Sequence, residues 1–307
     1  SYEELLAAGG GILSTTRATR AATPAELAAI VERHRGWMRA HGTTTFEGKS
    51  GYGLDHDTEL AQLDAVRAAG GIPTWLGAHA VPPEQPDADA YVDYLVHECV
   101  ADAARVAEAA DVFVETGTFD VPQARRYLEA CRAHGLTLRL HGDQLTEIGA
   151  VQLAIELEAR SIDHLETTGA DGVAALAASD VAAVLLPVAA LTLGRPMPPA
   201  RALLDHGAIV VLATDFNPGS AYCESLPVVM NLACTQLRMS PEEALVAVTV
   251  NAAHVLDRAE RIGRIAPGLD ADITLVEARD WRHLAYPLAG DLVHTVVEAG
   301  RVAWRRA

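Results

Sequence analysis

Three side chains in this 307-residue chain share one placement. His141 closes the apolar run "LTLRLH", His164 closes "SIDH", and Asp215 closes "IVVLATD". A lone imidazole or carboxylate where a buried strand empties into a loop is more often a hydrogen-bonded rim residue or a turn cap than a ligand. Two imidazoles and a carboxylate, each at a strand end, favour chemistry. They are the usual ligands of a catalytic zinc or iron, and such sites keep one position open for water. The metal lowers the pKa of that water, and a carboxylate beside it can pass the proton to a leaving group. A catalytic metal normally takes three or more ligands. His79, in "GAHAVPPE", is either a further ligand or a side chain that hydrogen-bonds the substrate.

Two glycine-containing stretches could complete a pocket. In "EGKSGYGL", residues 47–54, two glycines flank Tyr52. Glycine admits positive φ and close approach to a ligand, so Tyr52 either projects over a pocket or packs in a plain turn. "NPGS", residues 217–220, offers backbone N–H groups and the Ser220 hydroxyl, which suits a carboxylate, or it is a surface turn. "GGGI", residues 9–12, lacks the spacing and preceding strand of a nucleotide site.

These residues need a scaffold that brings strand ends together. Short β-branched runs recur near 43–47, 72–79, 111–115, 136–141, 161–164, 183–187 and 209–215. Between them lie helical patterns such as "VPQARRYLEACRAHG", with apolar residues at three-and-four spacing and a closing Gly. Strand then helix, repeated, means parallel strands with crossover helices. Six of the seven runs end in an ionisable residue: Glu47, His79, Glu115, His141, His164 and Asp215. In a closed barrel such ends converge on one face; in an open sheet they would spread along an edge. The expectation is an α/β chain with a (β/α)8 TIM-type barrel over residues 1–262, its first β/α unit missing from this chain. Two helical stretches, near 222–238 and 241–256, follow the last run. The alternating "ADITLVEA", "LVHTVVEAG" and "RVAWRRA" then predict the C-terminal part of a composite β-sandwich over 263–307. So few strands are thin for an independent sheet and call for partners outside this chain.

The bulk numbers exclude several classes. Twenty-four basic against 41 acidic residues give a formal charge of −17, which argues against a nucleic-acid partner. Half the chain is hydrophobic, yet no apolar run is long enough to span a membrane. Cys99, Cys131, Cys223 and Cys234 form no C-x-x-C pair and read as reduced packing thiols. A cytoplasmic location is expected.

"GGGILSTTRATR", "EGKSGYGL", "GAHAVPPE", "DVFVE", "IDHLE" and "TDFNPGS", in that order, resemble imidazolonepropionase of the amidohydrolase superfamily. The resemblance implies hydrolysis of 4-imidazolone-5-propanoate to N-formimidoyl-L-glutamate in histidine degradation. It also implies one zinc or iron ion, divalent or trivalent, and a homodimer. By resemblance, His141 and Asp215 bind the metal, and Asp215 also transfers the proton. His164 lies beside the reacting carbon, and Gln144 joins it in catalysis. Tyr52, His79, Gln144, Asn217, Gly219 and Ser220 hold imidazolone propionate. Attack by hydroxide on the ring carbon between the two nitrogens, with C–N cleavage, fits these groups.

The departures are as specific. Superfamily members carry H-x-H at the end of the first strand, and no H-x-H occurs in this sequence. An Arg for the substrate carboxylate and the N-terminal strands of the sandwich are also absent, so Ser1 is expected to lie just downstream of them. Val114 stands where Cys is common, Gly48 precedes the KSGYG run, and Gln144 replaces a Glu found in some members. The alternatives are another cyclic-amide hydrolase or deaminase on the same barrel, or a truncated, non-catalytic remnant.

Overall fold

A computed structural model describes residues 11–307; Ser1 to Gly10, with the first two glycines of the GGGI run, lie outside the described residues. Seven strands lie in chain order in one parallel, curled sheet: β1 (Glu47–Lys49), β2 (Ile72–Ala78), β3 (Ala109–Val114), β4 (Thr137–Gly142), β5 (Ser161–His164), β6 (Ala182–Leu185) and β7 (Val210–Leu212). This is the strand arrangement of a (β/α)8-type barrel, and among the described residues β1 and β7 are its two ends. β2 to β7 are buried almost throughout, as parallel strands covered on both faces must be, whereas β1 is half-buried.

Sharp helix starts turn the chain back across the sheet. Thr23 with Glu26, Asp120 with Gln123, and Ser240 with Glu243 each form a reciprocal capping box followed by proline in the first turn. Helix Val121–Ala133 then buries Ala124, Tyr127, Leu128 and Cys131, and the Tyr127 hydroxyl donates to the Trp75 carbonyl (3.2 Å). The apolar core lies between sheet and helices, with Trp75, Tyr91, Tyr127 and Phe119 its largest fully buried members.

The strand interior is unusual for a barrel. Alternate residues point to one face of a strand, and those facing the central cavity include Glu47 and Lys49, Arg139 and His141, and Ser161 and Asp163. Polar and charged side chains thus stand where branched apolar residues usually pack.

Two sequence expectations shift. The first strand covers Glu47–Lys49, not 43–47, because its ladder is set by pairing with Ile72–Thr74 of β2. Glu47 therefore opens that strand instead of closing it. The last strand ends at Leu212, three residues before Asp215, where its pairing with Leu185 runs out. After helices Leu226–Thr235, Pro241–Val248 and Val250–Val255 come β8 (Ile273–Val276), β9 (Val293–Glu298) and β10 (Arg301–Arg305), an antiparallel sheet. It finds one partner inside the chain. Glu298 receives Arg39 through both oxygens (2.7 Å each) and Arg35 (2.9 Å), both from helix Pro24–Ala40.

Candidate active site

A cavity of about 400 Å³ opens beyond the C-terminal ends of the barrel strands. The site residues named from the resemblance, Tyr52, His79, His141, Gln144, His164, Asp215, Asn217, Gly219 and Ser220, all line its wall. Strand alternation delivers His141. It does not deliver His164, which follows the inward-facing Asp163. A left-handed backbone (φ +85°) at His164, continued at Leu165 (φ +72°), brings it to the cavity. Asp215 also has positive φ (+51°). Strained backbone at non-glycine residues persists only where surrounding structure enforces it.

The two imidazole rings are neighbours, with His141 and His164 centroids 5.3 Å apart. His164 Nδ1 lies 3.4 Å from Glu166 Oε1, and the Glu166 side chain is wholly buried. Burial alone would lower the His164 pKa; the carboxylates of Glu166, Asp215 and Asp163 together outweigh it and carry the value to about 9. Burial pushes the Asp215 carboxyl up, and the nearby His164 and His141 pull it partly back. With His164 held as a hydrogen-bond donor by Glu166, the His141 imidazole and the Asp215 carboxylate at the cavity wall are the donor groups that fit a cation.

His79 Nδ1 donates to the Gly51 carbonyl (2.8 Å), which ties β2 to the KSGYGL loop. Its ring meets Tyr52 edge-on, centroids 5.2 Å apart. Burial lowers the His79 pKa to about 4, so its ring is neutral with Nε2 an acceptor. Beneath the loop, the buried Glu59 carboxylate accepts the amides of Gly51 (2.9 Å), Gly53 (2.8 Å) and Leu54 (2.9 Å).

Gln144 sits in a loop pinned by Glu115, which accepts the Leu145 and Thr146 amides (2.8 and 3.2 Å). Glu115 thus serves the loop and does not line the cavity. The NPGS turn is closed on itself. Asn217 Oδ1 accepts the Gly219 and Ser220 amides (2.8 Å each), and Asn217 Nδ2 donates to the Asp215 carbonyl (2.6 Å). A carboxylate would compete with Asn217 for those amides.

The sequence reading missed a charged layer under His141. Asp111, His141 and Asp163 have potential ligand atoms within 4.8 Å of one another, a candidate metal site among the described residues. Lys49 Nζ already sits between the two carboxylates, donating to Asp111 Oδ2 (2.5 Å) and lying 3.2 Å from Asp163 Oδ2. Burial opposes the charge on Lys49, but Asp111, Asp163 and Glu47 outweigh it and raise its pKa. Burial likewise opposes ionisation of Asp111, and His141 and Lys49 hold its carboxyl well below the usual range. The signal in the sequence was period-two spacing: Lys49 two residues after Glu47, and Asp163 two after Ser161.

The amidohydrolase family model matches residues 3–303. An imidazolonepropionase from Rubrobacter xylanophilus is 61% identical over 97% of this chain and 74% of its own length. The chain belongs to the imidazolonepropionase family of amidohydrolases. A second family member, from Chloroflexus aggregans, is 46% identical over 98% of this chain and 75% of its own length. Two solved structures share the fold. A 5-methylcytosine deaminase from Klebsiella pneumoniae matches with TM-score 0.79 at 14% identity, covering 96% of this chain and 79% of that one. A zinc-bound adenosine deaminase from Xanthomonas campestris matches with TM-score 0.73 at 16% identity, covering 92% and 71%. No helix among the described residues is long and apolar enough to cross a membrane.

Proposed function

We propose that this chain performs the imidazolonepropionase reaction, opening 4-imidazolone-5-propanoate to N-formimidoyl-L-glutamate. The observation that carries the reading is convergence: side chains selected from separate motifs all line one cavity, in a chain 61% identical to a family member.

Atom balance corrects the expected point of attack. The formimidoyl group of the product keeps one carbon between two nitrogens, so that ring carbon is not the one hydrolysed. The bond that breaks joins the ring carbonyl carbon to its nitrogen. Water oxygen adds to the carbonyl carbon, and the proton goes to the departing nitrogen.

His141 and Asp215 would hold the zinc or iron ion from this chain, and when bound it makes hydroxide available near neutral pH. Asp215, at the cavity wall, takes the proton of the water and delivers it to the nitrogen. His164, anchored by Glu166, donates a hydrogen bond to the oxygen that gains charge. The neutral His79 offers Nε2 to a ring N–H, and Gln144 offers one acceptor and two donors to the ring. Tyr52 and Ser220 direct hydroxyls at the carboxylate end. A homodimer in the cytoplasm belongs to the same reading.

The test is a substrate panel on the purified protein: imidazolone propionate, a hydantoin and cytosine. Ring opening of the first alone supports the assignment; cytosine or hydantoin turnover without it overturns the assignment.

A further inference from the structure

Beneath His141 the barrel interior holds two cations and three carboxylates. Lys49 Nζ lies 2.5 Å from Asp111, 3.2 Å from Asp163 and 3.4 Å from Glu47, and Arg139 Nε lies 3.2 Å from Glu47. Asp111 is completely buried and spends its two oxygens differently: Oδ2 on Lys49, and Oδ1 on His141 Nδ1 at 2.9 Å. An ionised carboxylate only accepts hydrogen bonds, so the His141 proton is on Nδ1. The Nε2 lone pair is then free for the cavity.

We propose that Asp111 and Lys49 are positioning residues for His141, with Asp111 fixing the ring and its tautomer and Lys49 fixing Asp111. The proposal rests on the reading that His141 is a metal ligand. Outer carboxylates commonly orient metal-binding imidazoles in this way; the distinctive element is the lysine. Its ammonium fills the place between Asp111 and Asp163 that a cation on those carboxylates would take. Both acids are thereby kept from an incoming ion, which is left to the Nε2 side of His141. Lysine has only donors, so it also dictates which atom of residue 111 must face it.

That constraint makes Asp111→Asn informative. The amide has one oxygen, and Lys49 claims it. The NH₂ group then faces His141 Nδ1, which must become an acceptor, so the ring proton moves to Nε2. In the double variant Lys49→Met with Asp111→Asn the claim on the oxygen is gone. The amide can turn its oxygen back to His141, and the original tautomer returns.

The experiment uses the whole, metal-free chain labelled with ¹⁵N-histidine, its His141 signals assigned by their loss in His141→Ala. Long-range ¹H–¹⁵N spectra read the tautomer, and Co²⁺ titration by visible absorption reads affinity. The expected result is Nδ1–H in the unaltered chain, Nε2–H in D111N with Co²⁺ binding about 10- to 100-fold weaker, and recovery of both in the double variant. An Nε2–H tautomer in the unaltered chain overturns the proposal without need of any variant. So does D111N that keeps Nδ1–H and full affinity. If H141A binds Co²⁺ like the unaltered chain, the metal-ligand reading fails; if H141A loses Co²⁺ while D111N does not, that reading stands and the positioning role falls.

Discussion

His79 Nδ1 donates to the Gly51 carbonyl at 2.8 Å, so one hydrogen bond joins the end of a buried strand to the loop that carries Tyr52. It fixes the tautomer of a neutral ring and points an acceptor at the cavity. His79→Phe keeps the ring volume but loses the acceptor. Its KM should rise roughly 3- to 10-fold, the value of one neutral hydrogen bond, with kcat nearly unchanged. Steady-state kinetics read the split, and an unchanged KM removes His79 from substrate binding.

The same ring predicts a pH effect on stability. Its folded pKa is depressed from 6.5 to about 4, so the unfolded chain binds the extra proton. The contribution is complete above pH 6.5 and is lost as pH falls from there towards 4. Denaturant midpoints measured across that window should fall less steeply in H79F than in the unaltered protein.

Gly51 cannot be replaced. Its φ is +101°, and an added Cβ would lie 2.9 Å from the Leu76 carbonyl oxygen and 3.0 Å from His79 Nδ1. Gly51→Ala should displace His79 and Tyr52 together and lower kcat/KM about 10-fold or more, from strain of about 1–3 kcal/mol. Equal kinetics for G51A and the unaltered chain would contradict the loop geometry.

Glu59 carries the other side of that loop. Glu59→Ala leaves the amides of Gly51, Gly53 and Leu54 without their acceptor. A loss of about 3 kcal/mol in unfolding free energy is expected, measured by urea titration. A loss below about 0.5 kcal/mol would show that water replaces the carboxylate freely.

Asn217 should act on rate more than on binding. It holds the Asp215 carbonyl and both amides of the turn that follows. Asn217→Ala frees the left-handed backbone of Asp215, and a shift of about 1 Å in a reacting group can cost on the order of 100-fold. A rise in KM with kcat unchanged would instead place Asn217 on the substrate.

The scaffold and the cavity wall were legible because they depend on local pattern. Strand-then-helix alternation marks the parallel sheet, and chemistry-bearing residues at strand ends mark its functional face. The Asx turn of Asn217 was also readable, since Asn two residues before Gly is its local signature; it closes the amides for which the sequence left open either a carboxylate or a surface turn. What the sequence hid is long-range. Lys49 meets Asp111 across 62 residues, and Asp111 meets His141 across 30, and no periodicity reveals which inward residues share a layer. His164 was found for an incomplete reason: it ends a strand, but a positive φ and not alternation brings it inward.

Metal content and imidazolone propionate hydrolysis, measured together on the intact gene product and its Asp215→Asn variant, test the central claim most directly. The account predicts one zinc or iron ion per chain and ring opening in the unaltered protein. In D215N, turnover should fall about 10²- to 10⁴-fold, the span of a lost acid–base group, with weakened metal retention. Full turnover by D215N, or ring opening that survives complete removal of the metal, would contradict it.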